Sequence, residues 1–232
     1  MENKDRSLED GKVWDQYWER GKYRLNRLYD IVARIYRKYI IKRSLNHFIR
    51  KHLAPNANVL HAGCGSGQVD TDIADYIFIS ALDISQKALT IYEQTNKSIS
   101  WLIHGSIFSI PVRENTYDGI YNLGVMEHFY NEDIDKILKE FYTVLKPCGK
   151  IILFWPPEFG LSVMFLSFVK FIFNRFLGKK DLNLHPAEYS LIKSRNQISE
   201  IIERNGFKLI DYYFGFSDFF TYVVIVGKKP AR

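Results

Sequence analysis

The sequence predicts a doubly wound α/β fold, in which a mostly parallel sheet carries helices on both faces. Short apolar runs alternate with longer helical stretches from residue 57 onward, and this alternation is typical of parallel β-α-β units. The last two predicted strands are separated by too few residues for a crossover helix, so we expect them to pair antiparallel. Three closely spaced glycines after the first predicted strand indicate a tight turn at one edge of the sheet.

The first 52 residues are predicted to form a basic helical segment that precedes a single domain at residues 53–232. Between Leu25 and Tyr39 the apolar residues follow a helical spacing, while arginines and a lysine occupy other positions. Residues 1–52 contain 14 of the 32 Lys and Arg residues but only 7 of the 26 Asp and Glu residues, so this segment accounts for the net charge of +6. A polar N-terminus and two cysteines predict a cytoplasmic protein without a signal peptide or a disulfide framework.

The domain at residues 53–232 is predicted to contain seven strands and four helices. The strands are expected at residues 57–62, 77–83, 98–104, 117–123, 150–155, 208–214 and 222–227. The helices are expected near residues 68–75, 85–94, 132–145 and 196–205. Asn205 and Gly206 indicate where the last helix ends, because glycine readily adopts a positive φ.

The glycine-rich turn that ends the first predicted strand is the most informative stretch, with the sequence VLHAGCGSG at residues 59–67. Glycine is needed where a chain turns sharply and its backbone closely approaches a ligand. Asp83 ends the second predicted strand, where a carboxylate can accept hydrogen bonds from both ribose hydroxyls; alternatively, it only caps the helix beginning at Ser85. Gly67 comes one residue earlier than the third glycine of the dinucleotide fingerprint, so the turn suits a nucleoside without a pyrophosphate.

Four motifs in order and spacing resemble those of the class I S-adenosylmethionine-dependent methyltransferases. They are the turn HAGCGSG at residues 61–67, ALDIS at 81–85, YDGIYNLGVMEHF at 117–129 and LKPCGK at 145–150. The resemblance implies a Rossmann-like, seven-stranded sheet of order 3-2-1-4-5-7-6 with strand 7 antiparallel. It also implies methyl transfer from S-adenosyl-L-methionine, with S-adenosyl-L-homocysteine as the product.

The same resemblance implies a set of cofactor-binding residues. They are His61, Ala62, Gly63, Cys64, Gly65, Gly67, Asp83, Ile84, Ser106, Ile107, Asn122 and Leu123. In this assignment Asp83 binds the ribose, Ile84 packs on the adenine, and Asn122 lies near the amino acid moiety. The chain departs from many family members at His61 and Ser106, where those members have acidic residues.

The candidate catalytic residues are Glu127 and His128, which follow the fourth predicted strand. Methyl transfer from a sulfonium requires alignment of the acceptor and exclusion of water, and it requires a general base only if the acceptor must lose a proton. His128 is positioned by the motif to deprotonate or orient a hydroxyl acceptor. The alternative is that this pair holds the local loop by hydrogen bonds. Tyr23 is a further candidate, either closing over the cofactor or packing in the core, and no metal site is predicted.

A hydrophobic helical insertion is predicted at about residues 157–190. Its Phe-rich run at residues 159–177 is interrupted by Lys170 and Arg175, which argues against a membrane span. Four interpretations remain: a buried cap helix, an apolar lid over a lipid-like acceptor, an interfacial helix making peripheral membrane contact, or a homodimer contact.

We expect a small or lipid-like acceptor rather than nucleic acid. The basic surplus lies in one helical segment, and the sequence contains no recognised RNA- or DNA-binding module. The alternative function is that of a non-catalytic nucleoside-binding or membrane-associated protein that retains the fold, because a fold alone does not determine chemistry.

Overall fold

The structure, a computed structural model, describes residues 2–19, 36–160 and 188–231, with side chains from residue 11 onward in the first of these ranges. The strands within them are β1 (Asn58–Ala62), β2 (Phe78–Asp83), β3 (Trp101–His104), β4 (Tyr117–Leu123), β5 (Leu145–Trp155), β6 (Lys208–Tyr213) and β7 (Val223–Lys228). They form a single sheet in the order β3-β2-β1-β4-β5-β7-β6. β7 is antiparallel to both of its neighbours. The predicted strand order and the antiparallel last strand are confirmed.

Helices cover this sheet on both faces. In the described ranges they are α1 (Glu2–Glu19), α2 (Lys42–His52), α3 (Gln86–Thr95), α4 (Asn131–Val144) and α5 (Arg195–Arg204). A π-helical turn, Arg37–Ile41, leads into α2. None of these helices is long and apolar enough to cross a membrane.

Alternating residues of β5 pack on the two opposite faces of the sheet, because successive side chains of a strand point to opposite sides. Ile151 and Leu153 belong to the apolar cluster that includes α4 and α5. Ile152 and Phe154 belong to the cluster on the other face, where Phe154 packs edge-to-face against Phe48 of α2. The doubly wound class is therefore confirmed.

The helix predicted at residues 68–75 is wrong, since this segment forms a succession of turns. Its backbone hydrogen bonds mix two spacings: Ile73 N–H donates to the Asp70 carbonyl three residues back, and Ile77 N–H donates to Ile73 four residues back. The Asp70 side chain is buried against His61. The segment has to bury both this carboxylate and apolar side chains within a few residues, and it does so without a regular helix.

Other boundaries differ in smaller ways. β5 begins at Leu145 rather than at residue 150, because Leu145 pairs with Tyr117 before an irregularity in the register. β3 begins at Trp101 rather than at residue 98. The predicted basic helix between Leu25 and Tyr39 lies mostly outside the described residues, as do Tyr23 and residues 161–187 of the predicted insertion.

The parallel arrangement determines where a ligand site can form. β1, β2, β3 and β4 run in the same direction side by side, so the residues that follow their carboxyl ends meet at one edge of the sheet. In open α/β sheets this edge is where ligands bind. All the predicted cofactor-binding residues lie at or just after the ends of these four strands.

Candidate cofactor site and active site

The glycine turn after β1 has a backbone that other residues would strain. Gly63, Gly65 and Gly67 have φ values of +70°, +52° and +63°. The N–H groups of Gly63 and Cys64 donate to the carbonyl of Leu82 at 2.8 and 3.0 Å, which fixes the turn against β2. A Cβ at Gly63 would lie 2.8 Å from the side chain of Val125. The turn therefore depends on glycine both for conformation and for space.

Asp83, at the end of β2, is hydrogen-bonded to two backbone groups of the site. Its Oδ2 accepts the Gly65 N–H and its Oδ1 accepts the Ser85 N–H, both at 2.8 Å. Burial raises the pKa of this carboxyl, although the two N–H groups act in the opposite direction. The N-cap of α3 is Ser85, whose hydroxyl accepts the Ala88 N–H at 3.1 Å. Each Asp83 oxygen keeps lone-pair capacity for a further donor, as ribose binding requires.

His61, where many family members have an acidic residue, contributes its side chain to a buried network behind the turn. Its Nδ1 lies 2.7 Å from Oδ2 of Asp70, and the Tyr92 hydroxyl donates to the same oxygen at 2.5 Å. The His61 ring stacks on Tyr121 with ring centroids 4.3 Å apart. The imidazole is thus engaged with Asp70, and sequence reasoning had not identified Asp70 as the carboxylate that lies beneath the turn.

The loop after β3 lies next to Asp83. Gly105 N–H donates to the Asp83 carbonyl at 3.1 Å, and His104 Nε2 lies 3.0 Å from the Ile84 carbonyl. The Ser106 hydroxyl accepts the Phe108 N–H at 3.2 Å, and its own proton is free to be donated elsewhere. Ser106 and Ile107 therefore stand beside the strand end that carries Asp83 and Ile84, as their predicted role beside the base requires.

The end of β4 supplies a buried amide. Asn122 is 0% exposed, and neither its oxygen nor its nitrogen has a hydrogen-bond partner in the described structure. Buried polar groups without partners are rare in folded proteins and mark positions where a ligand or water binds. Val125, three residues further on, packs against Gly63 and so places this loop beside the glycine turn.

Glu127 and His128 lie in a short 3₁₀ turn, Met126–His128, beyond β4. The Glu127 carboxyl is buried, and among the described residues its Oε2 has no hydrogen-bond partner. Burial raises its pKa to about 8, with Glu188 acting in the same direction. The backbone carbonyl of Glu127, in contrast, accepts the N–H groups of Tyr189 and Ser190 at 2.6 and 3.1 Å. The loop is therefore held through the main chain of Glu127.

Comparison with known proteins identifies a domain within the chain. A family model described as a methyltransferase domain matches residues 60–153, the part of the chain that contains the turn, Asp83, Asn122 and Glu127. The chain is also 27% identical over 177 residues to a demethylmenaquinone methyltransferase of Bacillus licheniformis, an alignment that covers 68% of this chain and 73% of that protein. Residues 60–153 thus match a methyltransferase domain, and the chain resembles the S-adenosylmethionine-dependent methyltransferases in sequence and fold.

Two further methyltransferases resemble it. A sterol 4-C-methyltransferase of Caenorhabditis elegans is 31% identical over 108 residues, which cover 44% of this chain and 32% of that protein. The crystal structure of a magnesium protoporphyrin IX methyltransferase from Synechocystis, with bound S-adenosylhomocysteine, superimposes with a TM-score of 0.60 at 17% identity and covers 82% of each chain. At that identity the structural likeness bears on the fold. The cofactor of this methyltransferase is S-adenosylmethionine.

The residues of this methyltransferase fit that cofactor. The positive-φ glycines leave the face of the turn without side chains, and Asp83 presents two acceptor oxygens of the kind that a ribose needs. The unpartnered amide of Asn122 is suited to bind a charged amino acid group. Cys64 is buried, and burial raises the pKa of its thiol well above its usual range, so it is a packing residue rather than a nucleophile.

Helix α1 is part of the predicted N-terminal helical segment, but its position over the glycine turn was not predicted from the sequence. A Cβ at Gly65 would lie 2.9 Å from the indole ring of Trp18. Asp15 Oδ1 accepts the Ser85 hydroxyl at 2.5 Å and the Lys87 N–H at 3.2 Å. At the other end of the site, the Trp14 ring packs edge-to-face on His128 with centroids 5.1 Å apart.

A signal for this helix is present in the sequence. Trp14, Tyr17 and Trp18 are three aromatic residues at helical spacing in a segment that is otherwise mostly polar. Such spacing predicts that one face of the helix packs against the protein, although it does not tell which surface receives it.

Proposed function

We propose that this methyltransferase methylates a small or lipid-like acceptor at the carboxyl edge of the sheet, between the glycine turn and Glu127. The observation that carries the proposal is the buried Glu127 carboxyl, which lies in the loop packed against the turn through Val125 and whose Oε2 has no partner in the part of the chain that the structure describes. Two relatives are methyltransferases of demethylmenaquinone and of a sterol, and these activities support an apolar acceptor.

In this proposal the cofactor lies along the ends of β1 to β4. Asp83 accepts the ribose hydroxyls, Ile84 packs on the adenine with Ser106 and Ile107 beside it, and Asn122 and Leu123 meet the amino acid moiety over Gly63, Gly65 and Gly67. When bound, the cofactor supplies an electrophilic methyl group on a sulfonium sulfur. The protein must then align the acceptor with that methyl group and exclude water. The indole rings of Trp14 and Trp18 on α1 supply an apolar cover for this purpose.

Glu127 is the proposed proton acceptor. A carboxyl with a pKa of about 8 exchanges its proton near neutral pH, which is the range in which a general base is effective. When the acceptor atom bonds to the methyl carbon, the bond from that carbon to the sulfonium sulfur would break and S-adenosylhomocysteine would leave, while Oε2 of Glu127 would take up the acceptor proton. His128, held against Trp14, lies next to it in the same turn and orients the acceptor.

Tyr222 completes the proposed acceptor site. A Cβ added at Gly124 would lie 3.2 Å from Glu127 Oε1 and 3.3 Å from the Tyr222 hydroxyl, so these two groups flank the same glycine. Burial, with Glu127 nearby, raises the pKa of the Tyr222 hydroxyl, which therefore remains a hydrogen-bond donor at all physiological pH values.

Two measurements test the proposal. Calorimetric titration with S-adenosylhomocysteine, with NADH as the control ligand, measures cofactor binding. Transfer of labelled methyl from S-adenosylmethionine is then measured with a demethylated quinone, a sterol and, as controls, a small polar phenol and RNA. We expect label in the apolar acceptors. Saturable cofactor binding with label only in the polar phenol or in RNA would contradict a lipid-like acceptor.

A further inference from the structure

A loop at the same edge of the sheet exposes aromatic side chains to solvent. This aromatic loop, residues 214–220, follows β6, whose carboxyl end points in the same direction as those of β1 to β5. Phe216 is 79% exposed and Phe219 is 57% exposed. Phe216 packs on Phe220, and Phe220 packs on Phe214, with ring centroids 4.7 and 5.2 Å apart. The exposed rings thus belong to one cluster rather than to scattered positions.

Two residues of the aromatic loop have a backbone conformation that carries an energetic cost. Phe219 and Phe220 have φ values of +53° and +58°, a region that bulky residues avoid. The Phe220 N–H donates to the Gly215 carbonyl at 2.9 Å, and buried Asp218 accepts the Tyr222 N–H at 2.8 Å. Strained conformations that the surrounding structure maintains are concentrated at functional positions. The exposed Phe219 is therefore held in a strained conformation that the rest of the loop maintains.

A cationic segment packs against the aromatic loop. The Tyr36 hydroxyl donates to the Asp218 carbonyl, and the Ser44 and Ser217 hydroxyl oxygens lie 3.1 Å apart. Between these two contacts the segment carries Arg37, Lys38 and Arg43. Lys38 and Arg43 are exposed, and within the described part of the chain no carboxylate forms a salt bridge with any of the three.

Phe159 joins the same surface from another element. It lies just beyond β5, is 45% exposed, and packs edge-to-face on Phe214 with centroids 5.1 Å apart. The aromatic surface therefore continues from the loop after β6 to the loop after β5, along the edge that holds the candidate active site.

We infer that the aromatic loop and the adjoining cationic segment form a docking surface for an anionic lipid bilayer. Exposed aromatic rings partition into the interface between headgroups and acyl chains, while neighbouring Lys and Arg side chains are attracted to anionic headgroups. A second copy of the chain would bring the same cations together and so is disfavoured by charge. The inference holds whatever the acceptor is, and it places the active-site edge of the enzyme against the membrane.

Sedimentation of the full-length protein with vesicles tests this inference. Vesicles of phosphatidylcholine alone are compared with vesicles that also contain about 30% phosphatidylglycerol, at low and high salt. We expect binding to the anionic vesicles and its loss at high salt. The double variant Phe216→Ser/Phe219→Ser should bind these vesicles about tenfold less, and Lys38→Glu/Arg43→Glu should lose the preference for anionic lipid.

The control variant is Phe78→Ser, which removes a ring that is 53% exposed at the opposite edge of the sheet, and it should bind like the wild type. Retained affinity for S-adenosylhomocysteine shows that each variant is folded. If Phe216→Ser/Phe219→Ser does not fold, Lys38→Glu/Arg43→Glu provides the test. Wild-type vesicle binding by both double variants overturns the inference. A variant that keeps vesicle binding but loses a dimer would show that the loop serves a second copy, which also overturns it.

Discussion

At the scale of single residues, Asp83 joins the parts of the cofactor site. One carboxylate holds the glycine turn through Gly65 and the start of α3 through Ser85, and it remains able to accept further hydrogen bonds. From the sequence, Asp83 was expected either to bind the ribose or to cap the helix that begins at Ser85. Ser85 provides the helix cap, so the role proposed for Asp83 is to bind the ribose.

Asp83→Asn tests that role. The amide replaces one acceptor by a donor, so we expect S-adenosylhomocysteine to bind about 10- to 100-fold more weakly, or about 1.5–3 kcal/mol. Calorimetric titration measures the change. Asp118→Asn is the matched control, because Asp118 is a half-exposed acceptor of the Asn58 N–H at the opposite end of the sheet. Equal affinity of the Asp83 variant and the wild type would remove Asp83 from the ribose site.

Glu127 makes the free energy of unfolding depend on pH. Its pKa is raised from 4.5 to about 8 in the folded state, so between these values the folded protein binds more protons than the unfolded chain. Stability therefore falls as pH rises through this window. Between pH 5 and pH 8 this effect should lower the free energy of unfolding of the wild type by about 2–4 kcal/mol. We expect the Glu127→Gln variant to lack this decrease.

Urea unfolding at pH 5 and pH 8 measures this difference for the wild type and the variant. Glu132→Gln, at an exposed position in the first turn of α4, serves as the control. It should leave the pH dependence of the free energy of unfolding unchanged. A pH dependence that is the same in the wild type and in Glu127→Gln would mean that the carboxyl is already ionised in the folded protein at pH 5.

At the scale of secondary-structure elements, α1 is the part that changes the interpretation of the site. The helix is attached through Asp15, which accepts hydrogen bonds from Ser85 and from the Lys87 N–H at the first turn of α3. A carboxylate near the N-terminus of a helix is also favoured by the helix dipole. Through this contact Trp18 is held against Gly65.

Asp15→Ala tests whether α1 retains the cofactor. We expect dissociation of S-adenosylhomocysteine to become about 5- to 10-fold faster, because the variant loses two hydrogen bonds that hold the cover in place. Stopped-flow displacement measures the rate. Glu19→Ala is the matched control, since its exposed pair with Lys87 contributes little. Tighter cofactor binding by Asp15→Ala would mean that Trp18 competes with the cofactor instead of covering it.

Sequence reasoning succeeded with elements whose pattern is local and failed where side chains act across the fold. β4 lies at the predicted residues 117–123, because a short segment rich in aromatic and aliphatic residues identifies a largely buried strand. The segment at residues 68–75 is not a helix, and its Asp70 reaches His61 and Tyr92, which lie in other elements. Spacing along the chain contains no information about such a contact. The position of α1 over the glycine turn could not be predicted from the sequence for the same reason.

At the scale of the whole molecule, ligand binding and folding are linked. The predicted site draws on the ends of four adjacent strands and on α1, so a cofactor that binds there binds only the folded chain. Such a ligand stabilises the fold by about 2.7 kcal/mol at a hundred times its dissociation constant. For a protein of 232 residues this corresponds to a rise in Tm of about 5–10 °C.

Thermal unfolding of the wild type with saturating S-adenosylhomocysteine should show this rise, whereas NADH at the same concentration should leave Tm unchanged. With Asp83→Asn the rise should shrink at a fixed ligand concentration, because the weaker binding reduces the linkage. The variant's Tm without ligand separates this effect from a loss of intrinsic stability. If the Asp83 variant and the wild type gain the same Tm at subsaturating ligand, the cofactor does not depend on this carboxylate. The cofactor would then not lie along the ends of β1 to β4 as proposed.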